Sequence, residues 1–307
     1  MLTNSERNII RCLFDGNIED ARRCAKEALQ SDATEKNKKF VEEMLHKIDA
    51  HTLMELPANL KYLLKIEDET EFDTDRYLLR PAERKICNSI CERHEVAEKL
   101  EKMNIRSPAT ALLYGESGVG KTTLAKYIAH SLGLPYVCIR FSELMDSHMG
   151  GTQNNLANIF NYIRNRPCVL VLDELDAIGA KRGQDGSAAG AELSHIVISL
   201  MQELDDNSSR TVVIATTNRE DIIDPALARR LGQKYEIKKL DPGEAAELCK
   251  QYLDSLNISY VTSSIMNEFT IPVTQSSVID RTVEGIIKYV QGKQPWFDLS
   301  SEKCVEK

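Results

Sequence analysis

Eight consecutive residues, Gly115-Glu116-Ser117-Gly118-Val119-Gly120-Lys121-Thr122, fit the pattern G-x-x-x-x-G-K-[ST] and lead from a short apolar segment straight into an apolar helical pattern. Glycines at those places let the backbone turn tightly, so that amide N–H groups and the positive helix end face an anion. In such a loop the lysine reaches the β and γ phosphates of a nucleotide and the next hydroxyl holds magnesium. Those tasks fall to Lys121 and Thr122, and Thr123 joins the loop in the binding set.

Some fifty residues on, the apolar run Cys168 to Leu172 ends in two adjacent acids, Asp173 and Glu174. At the carboxyl edge of a sheet, one carboxylate completes the magnesium shell and the next orients and deprotonates an attacking water. Asp173 takes the metal role and Glu174 the role of base. A further run ends in Thr216-Thr217-Asn218, where Asn218 is placed to hold the water or sense the γ phosphate, although asparagine at a strand end also serves as a plain turn former. The segment Asp224-Pro225-Ala226-Leu227-Ala228-Arg229-Arg230 carries two cations with no neutralising acid nearby in sequence, which reads as an arginine finger or as surface ion pairing.

The elements that must position these groups are also legible. Short apolar strand candidates at Thr110 to Tyr114, Tyr136 to Phe141, Cys168 to Leu172, Thr211 to Thr216 and Lys234 to Ile237 alternate with helical patterns, which predicts a parallel sheet wrapped by helices. Residues 1–66 read as an N-terminal helical unit, and the acids between Glu67 and Asp75 as a solvated linker over 67–80. An α/β domain follows over 81–239, with Pro81 opening its first helix, then a small helical lid over 240–291 and an aperiodic tail over 292–307 that holds the lone tryptophan, Trp296. The 307 residues carry a net charge of −8 with no basic run, which weakens any nucleic-acid reading. No stretch is long and apolar enough for a membrane, and Met1 to Asn8 lack the start of a signal peptide, so the cytosol is the expected compartment. Cys87 and Cys91 share one apolar helix face and read as core thiols rather than zinc ligands.

Taken together, Gly115 to Thr122, Leu170 to Ile178, Ala215-Thr216-Thr217-Asn218-Arg219 and Asp224 to Arg230 resemble an AAA ATPase over residues from about 77 to 291. In that family these segments are the Walker A motif, the Walker B motif, sensor 1 and the second region of homology. The resemblance implies a P-loop NTPase domain with a five-stranded parallel sheet of order 5-1-4-3-2, a helical lid, Mg2+ and ATP at a subunit boundary, and a homo-oligomeric ring that is usually hexameric. His148-Met149-Gly150 resembles the first pore loop that grips polypeptide in protein-translocating members, with histidine in place of the usual aromatic, and Gly183 to Gly190 is consistent with a second pore loop. Arg229 and Arg230 are adjacent, as in the microtubule-severing branch, where many relatives have an intervening Pro-Gly. In the lid, Ser276-Ser277 replaces a common Gly-Ala, and Arg281 is the candidate lid sensor. The ending Cys304-Val305-Glu306-Lys307 lacks the hydrophobic-tyrosine-x signature of proteasomal docking.

The expected activity is ATP hydrolysis that unfolds or remodels a protein client. The chain is similar in size and layout to small bacterial AAA ATPases encoded beside subtilisin-like proteases, which implies a serine protease partner. A nucleic-acid machine of loader or transposition type is the alternative, and a nucleotide-dependent scaffold that barely hydrolyses is a third, against which the intact Glu174 speaks.

Overall fold

The computed structural model describes residues 3–14, 18–31, 37–38, 40–41, 44–45, 56–67, 72–105, 107–145, 151–164, 166–178, 188–207 and 210–298. The N-terminal amphipathic repeats form two helices, α1 (Asn4–Phe14) and α2 (Ile18–Ser31), which pack on each other. Further along the N-terminal unit the sequence has an apolar stripe at helical spacing, Phe40, Val41, Met44, Leu45 and Ile48, of which the first four are described and Ile48 lies outside the described residues.

The predicted strands assemble into one sheet. They are β2 (Thr110–Tyr114), β3 (Tyr136–Ile139), β4 (Cys168–Leu172), β5 (Thr211–Thr217) and β6 (Gln233–Glu236). All five run parallel, in the spatial order β6-β2-β5-β4-β3. The central strands are buried on both faces, which is why they read as unbroken apolar runs. Alternate residues feed opposite layers. Leu112, Leu170 and Val213 face one core with α5 (Phe141–Met145), α6 (Gly151–Ile163), α7 (Ala188–Asp205) and α8 (Pro225–Arg230), whereas Leu113, Val171 and Ile214 face the other with α3 (Pro81–Lys102) and α4 (Lys121–Leu132).

The expectation of a five-stranded, wholly parallel sheet needs correction. A sixth strand, β1 (Leu64–Glu67), pairs antiparallel with β3, Leu64 opposite Ile139, so the sheet is mixed and its order differs from the expected one by this edge. Leu60, Leu63 and Leu64 sink into the sheet core, so the apolar segment assigned to the helical N-terminal unit ends inside the α/β layer.

Nor are residues 72–80 a solvated linker. Phe72, Tyr77 and Leu79 pack against the α3–α4 layer, and Leu78 enters the core of the lid. Burial and the neighbouring Glu83 carboxylate push the Tyr77 phenol up, and its hydroxyl donates to Glu83 Oε2 at 3.2 Å. The segment is a strap between two cores.

The lid holds α9 (Pro242–Ser255), α10 (Thr262–Glu268) and α11 (Gln275–Val290). The start of the expected tail is part of this lid. Phe297 is fully buried there, the Trp296 ring meets Phe269 edge-on, and Trp296 Nε1 donates to the Arg281 carbonyl at 3.0 Å. On α3, the sulfurs of Cys87 and Cys91 lie 3.9 Å apart; the contact pulls the Cys87 thiol down to about 7 and pushes the Cys91 thiol up. No helix among the described residues is long and apolar enough to cross a membrane.

Candidate functional site

The loop after β2 crosses so close to the end of β6 that a β-carbon on Gly115 would meet the Ile237 carbonyl oxygen at 2.2 Å. Gly120 then caps α4 with φ of 101°, a conformation open to glycine and strained for other residues. This geometry brings Lys121 back across its own loop. Its Nζ donates to the carbonyls of Gly115 and Glu116 at 2.9 and 2.7 Å and to Asn218 Oδ1 at 2.8 Å. Burial lowers the lysine's pKa, and the carboxylates of Asp173, Asp176 and Glu174 oppose that shift.

Thr122 Oγ1 donates to Asp173 Oδ1 at 2.9 Å, and Thr216 Oγ1 donates to the same oxygen. A hydroxyl and a carboxylate are the hard oxygen donors from which magnesium takes one or two protein ligands, so the pair fits that ion. Glu174 sits in the left-handed region, φ 51° and ψ 47°, with its backbone N–H held by Thr216 Oγ1 at 3.1 Å. Its carboxylate is exposed toward the cleft and makes no hydrogen bond among the described residues. Asp176, quoted in the sequence motif but given no task there, accepts from Thr217 Oγ1 at 2.8 Å and from the Asn218 N–H at 3.2 Å, so it aims the asparagine.

These groups line a cleft of about 410 Å³ whose walls include Ser117, Gly118, Gly120, Lys121, Thr122, Thr123, Asp173, Glu174 and Asn218. Gly115 and Glu116 supply carbonyls to Lys121, while the Glu116 side chain pairs with Lys239 at 2.8 Å and Val119 is buried in the core. The remaining wall contains Thr216 and Thr217 from β5 and Ser276 from α11, which the sequence motifs include without a task, and Arg76 from the strap with Gln275, Ile279 and Asp280 from α11, which the sequence reading did not place at the site. The lid is joined to the phosphate loop directly, because the Ser276 N–H donates to the Gly118 carbonyl at 3.1 Å.

The structure gives two of the singled-out arginines, Arg230 and Arg281, partners that the sequence did not suggest. Arg230 does have an acid, since it forms a forked pair with Asp205 at the end of α7, Nε to Oδ1 and Nη2 to Oδ2 both at 2.8 Å. Arg229 is exposed and makes no ion pair among the described residues, and neither arginine lines the cleft of its own chain. Arg281 does not face the cleft as a sensor would; it pairs with Glu268 at 3.2 Å and lies over the Phe269 ring. His148, Met149 and Gly150 lie outside the described residues, as do Gly183 to Ser187, while Ala188 to Gly190 open α7.

Comparison with known proteins agrees with this geometry. Residues 111–239 match the family described as "ATPase family associated with various cellular activities (AAA)". The chain is 35% identical over 169 residues to the 26S proteasome regulatory subunit 10B of Dictyostelium discoideum, covering 53% of this chain and 42% of that protein. It is 36% identical over 156 residues to the 26S proteasome subunit RPT4 of Saccharomyces cerevisiae, covering 49% and 35%. With the proteasome-activating nucleotidase of Thermococcus onnurineus it shares 33% over 178 residues, covering 56% and 45%. The chain thus spans less than half the length of these relatives. The strap and the lid lie outside the family match, whereas β2 to β6, the phosphate loop, both acids and both arginines lie within it. Residues 111–239 are an AAA ATPase domain.

Proposed function

We propose that this chain binds ATP with magnesium in the cleft and hydrolyses it as one member of a homo-oligomeric ring, hexameric as the family resemblance implies. Turnover drives the unfolding of a protein client and its transfer to a partner protease, with the cytosol as the working compartment. The observation that carries the reading is the convergence of Lys121, Asn218, Thr122 and Asp173 through 2.8 to 2.9 Å contacts, with the exposed Glu174 beside them in the cleft wall. Relatives named as proteasome regulatory subunits and a proteasome-activating nucleotidase support the protease arm.

The chemistry follows from what each side chain can give. Loop amides and the Lys121 ammonium hold the outer phosphates, and Thr122 with Asp173 would hold magnesium, which neutralises charge on the β and γ oxygens. Glu174 takes a proton from water as its oxygen attacks the γ phosphorus, and the bond to the ADP oxygen breaks. Asn218, aimed by Asp176, orients that water from the neutral side. Arg229 or Arg230 reaches the ATP of the adjacent subunit and stabilises charge developing on the γ phosphate. His148 and Met149 contact the client in the central channel.

Glu174→Gln tests the core of this reading. The amide keeps the size of the carboxylate but is a poor proton acceptor, so ATP binding should persist while turnover falls by about 10² or more. Hydrolysis at the wild-type rate would remove Glu174 from the mechanism.

A further inference from the structure

Two sulfurs meet at the seam between α3 and α4. Cys87 and Cys91 stand one helical turn apart on α3, and their Sγ atoms lie 3.9 Å from each other. Cys87 is buried in the layer that holds Leu124 and Ile128 of α4, whereas Cys91 is partly exposed and opens the pair to solvent. Ser131, exposed at the end of α4, hydrogen-bonds the Cys87 sulfur from across the seam.

The two thiols are made unequal by their surroundings. The Cys91 contact, the Ser131 hydrogen bond and the Arg84 cation one turn earlier favour the Cys87 thiolate against the burial that opposes it, which brings that thiol to about 7. Cys91 is pushed up by the same contact, by burial and by Glu95, so it keeps its proton. By contrast, burial holds the thiols of Cys138, Cys168 and Cys249 up. A thiolate is the reactive form of cysteine, and a second thiol beside it resolves the oxidised product. Among the described residues no group of three His, Cys, Asp or Glu side chains is placed to hold a metal, which leaves the two sulfurs to react with one another.

Helix geometry permits the bond. Residues four apart in an α-helix have Cα atoms about 6.2 Å apart, inside the roughly 4.4–6.8 Å that a disulfide spans. Their β-carbons, about 5–6 Å apart, must close to roughly 3.5–4.5 Å. That turn of α3 has to tighten, which favours reduction of the bond once it is made.

We propose that Cys87 and Cys91 are a peroxide-sensitive dithiol that forms a reversible disulfide within α3. The Cys87 thiolate attacks one oxygen of hydrogen peroxide. An S–O bond forms as the O–O bond breaks, and the departing oxygen takes up a proton and leaves as water. The Cys91 sulfur then attacks the Cys87 sulfur, the S–S bond forms, the S–O bond breaks, and the hydroxyl leaves with the Cys91 proton as a second water. Each sulfur gives up one electron, and the peroxide is reduced to water. A dithiol reductant returns both thiols by exchange.

The test treats the full chain with hydrogen peroxide, stops the reaction with catalase and unfolds the protein in N-ethylmaleimide. Trypsin cuts after Lys85 and Arg93, so residues 86–93 carry both cysteines on one peptide. Peroxide should turn that peptide from doubly alkylated to unalkylated and lighter by two hydrogens than the free dithiol. Dithiothreitol should restore both alkylation sites, while Cys168 and Cys249 stay alkylated throughout. Cys91→Ala should stop at a Cys87 sulfenic acid that dimedone captures, and Cys87→Ala should slow oxidation of Cys91 about tenfold or more. Peroxide given to the unfolded chain should form the bond about tenfold more slowly, since unfolding removes the contacts that hold the thiolate.

The wild-type peptide decides the matter without any variant. Two alkylated thiols in residues 86–93 after peroxide overturn the proposal, as does a bond from either cysteine to a third. Equal rates in the folded and unfolded chains overturn it too, because spacing along the chain and not the fold would then pair the sulfurs.

Discussion

Glu174 occupies a left-handed backbone conformation that costs a residue bearing a β-carbon on the order of 1–3 kcal/mol. The conformation is held by its neighbours, with Thr216 fixing its N–H and Leu175 fully buried behind it, and it brings consecutive carboxylates to one cleft. Lys121 shows a second kind of stored cost, because burial disfavours its charged form. A bound triphosphate favours that form, so the lysine's pKa should rise on binding. The sign follows from linkage. Well below the free-state pKa the lysine is charged with or without ligand, and affinity is indifferent to this group. As pH climbs through that depressed pKa, binding must take up a proton and affinity falls. Calorimetry in two buffers of different ionisation heat should show proton uptake in the alkaline range beneath the ordinary lysine value, where ATP itself is fully ionised. Absence of uptake throughout that range would sink the account. The phosphate loop, both acids and Asn218 were legible because each follows an apolar strand. Arg76, Gln275 and Asp280 were not, since only the folding of strap and lid brings them to the loop.

The strap shows how composition can mislead at the level of an element. Its acids predict solvation, yet Phe72, Tyr77 and Leu78 between and after them bind two cores together. Gln275 completes the joint, accepting from the Leu78 N–H and donating to the Leu78 carbonyl while its amide lies against Gly120. Gln275→Leu keeps the volume but leaves the Leu78 backbone groups without that partner, at a cost of about 1–3 kcal/mol. Hydrogen exchange at the Leu78 amide should quicken on that scale while amides of β4 and β5 stay as protected as before. Uniform quickening would mean that strap and sheet open as one unit. Strands β2 to β5 could be read because burial demands continuous apolar runs, whereas β6, Gln233-Lys234-Tyr235-Glu236, is a largely exposed strand next to the apolar Ile237. Strand β1 could not, because Leu64-Lys65-Ile66-Glu67 is a four-residue edge whose alternating pattern continues an apolar segment that suits a helix equally.

At the scale of the whole molecule, the two arginines divide. The forked pair with Asp205 ties Arg230 to its own chain and steadies α8, which leaves Arg229 as the exposed cation available to an adjacent subunit. Arg229→Ala is expected to lower turnover by about 10³, by analogy with other arginine fingers, without weakening ATP binding. Mixing it with Lys121→Ala should restore part of the activity, because an intact loop can then meet an intact finger across one interface. Full activity of a strictly monomeric form at every concentration would refute the ring. Threading has its own test, in which His148→Ala with Met149→Ala should spare basal ATP turnover and reduce client unfolding steeply. Equal unfolding by variant and wild type at matched turnover would remove those residues from client grip. The tail has a practical consequence for all of these measurements. Trp296 is the sole indole of the chain and is wedged between Phe269 and Phe297, with its N–H bound to a lid carbonyl. The intrinsic emission of the unlabelled protein at wavelengths that excite only tryptophan therefore comes from the lid alone. A stopped-flow trace on mixing with nucleotide would time lid motion separately from the sheet, with no engineered dye.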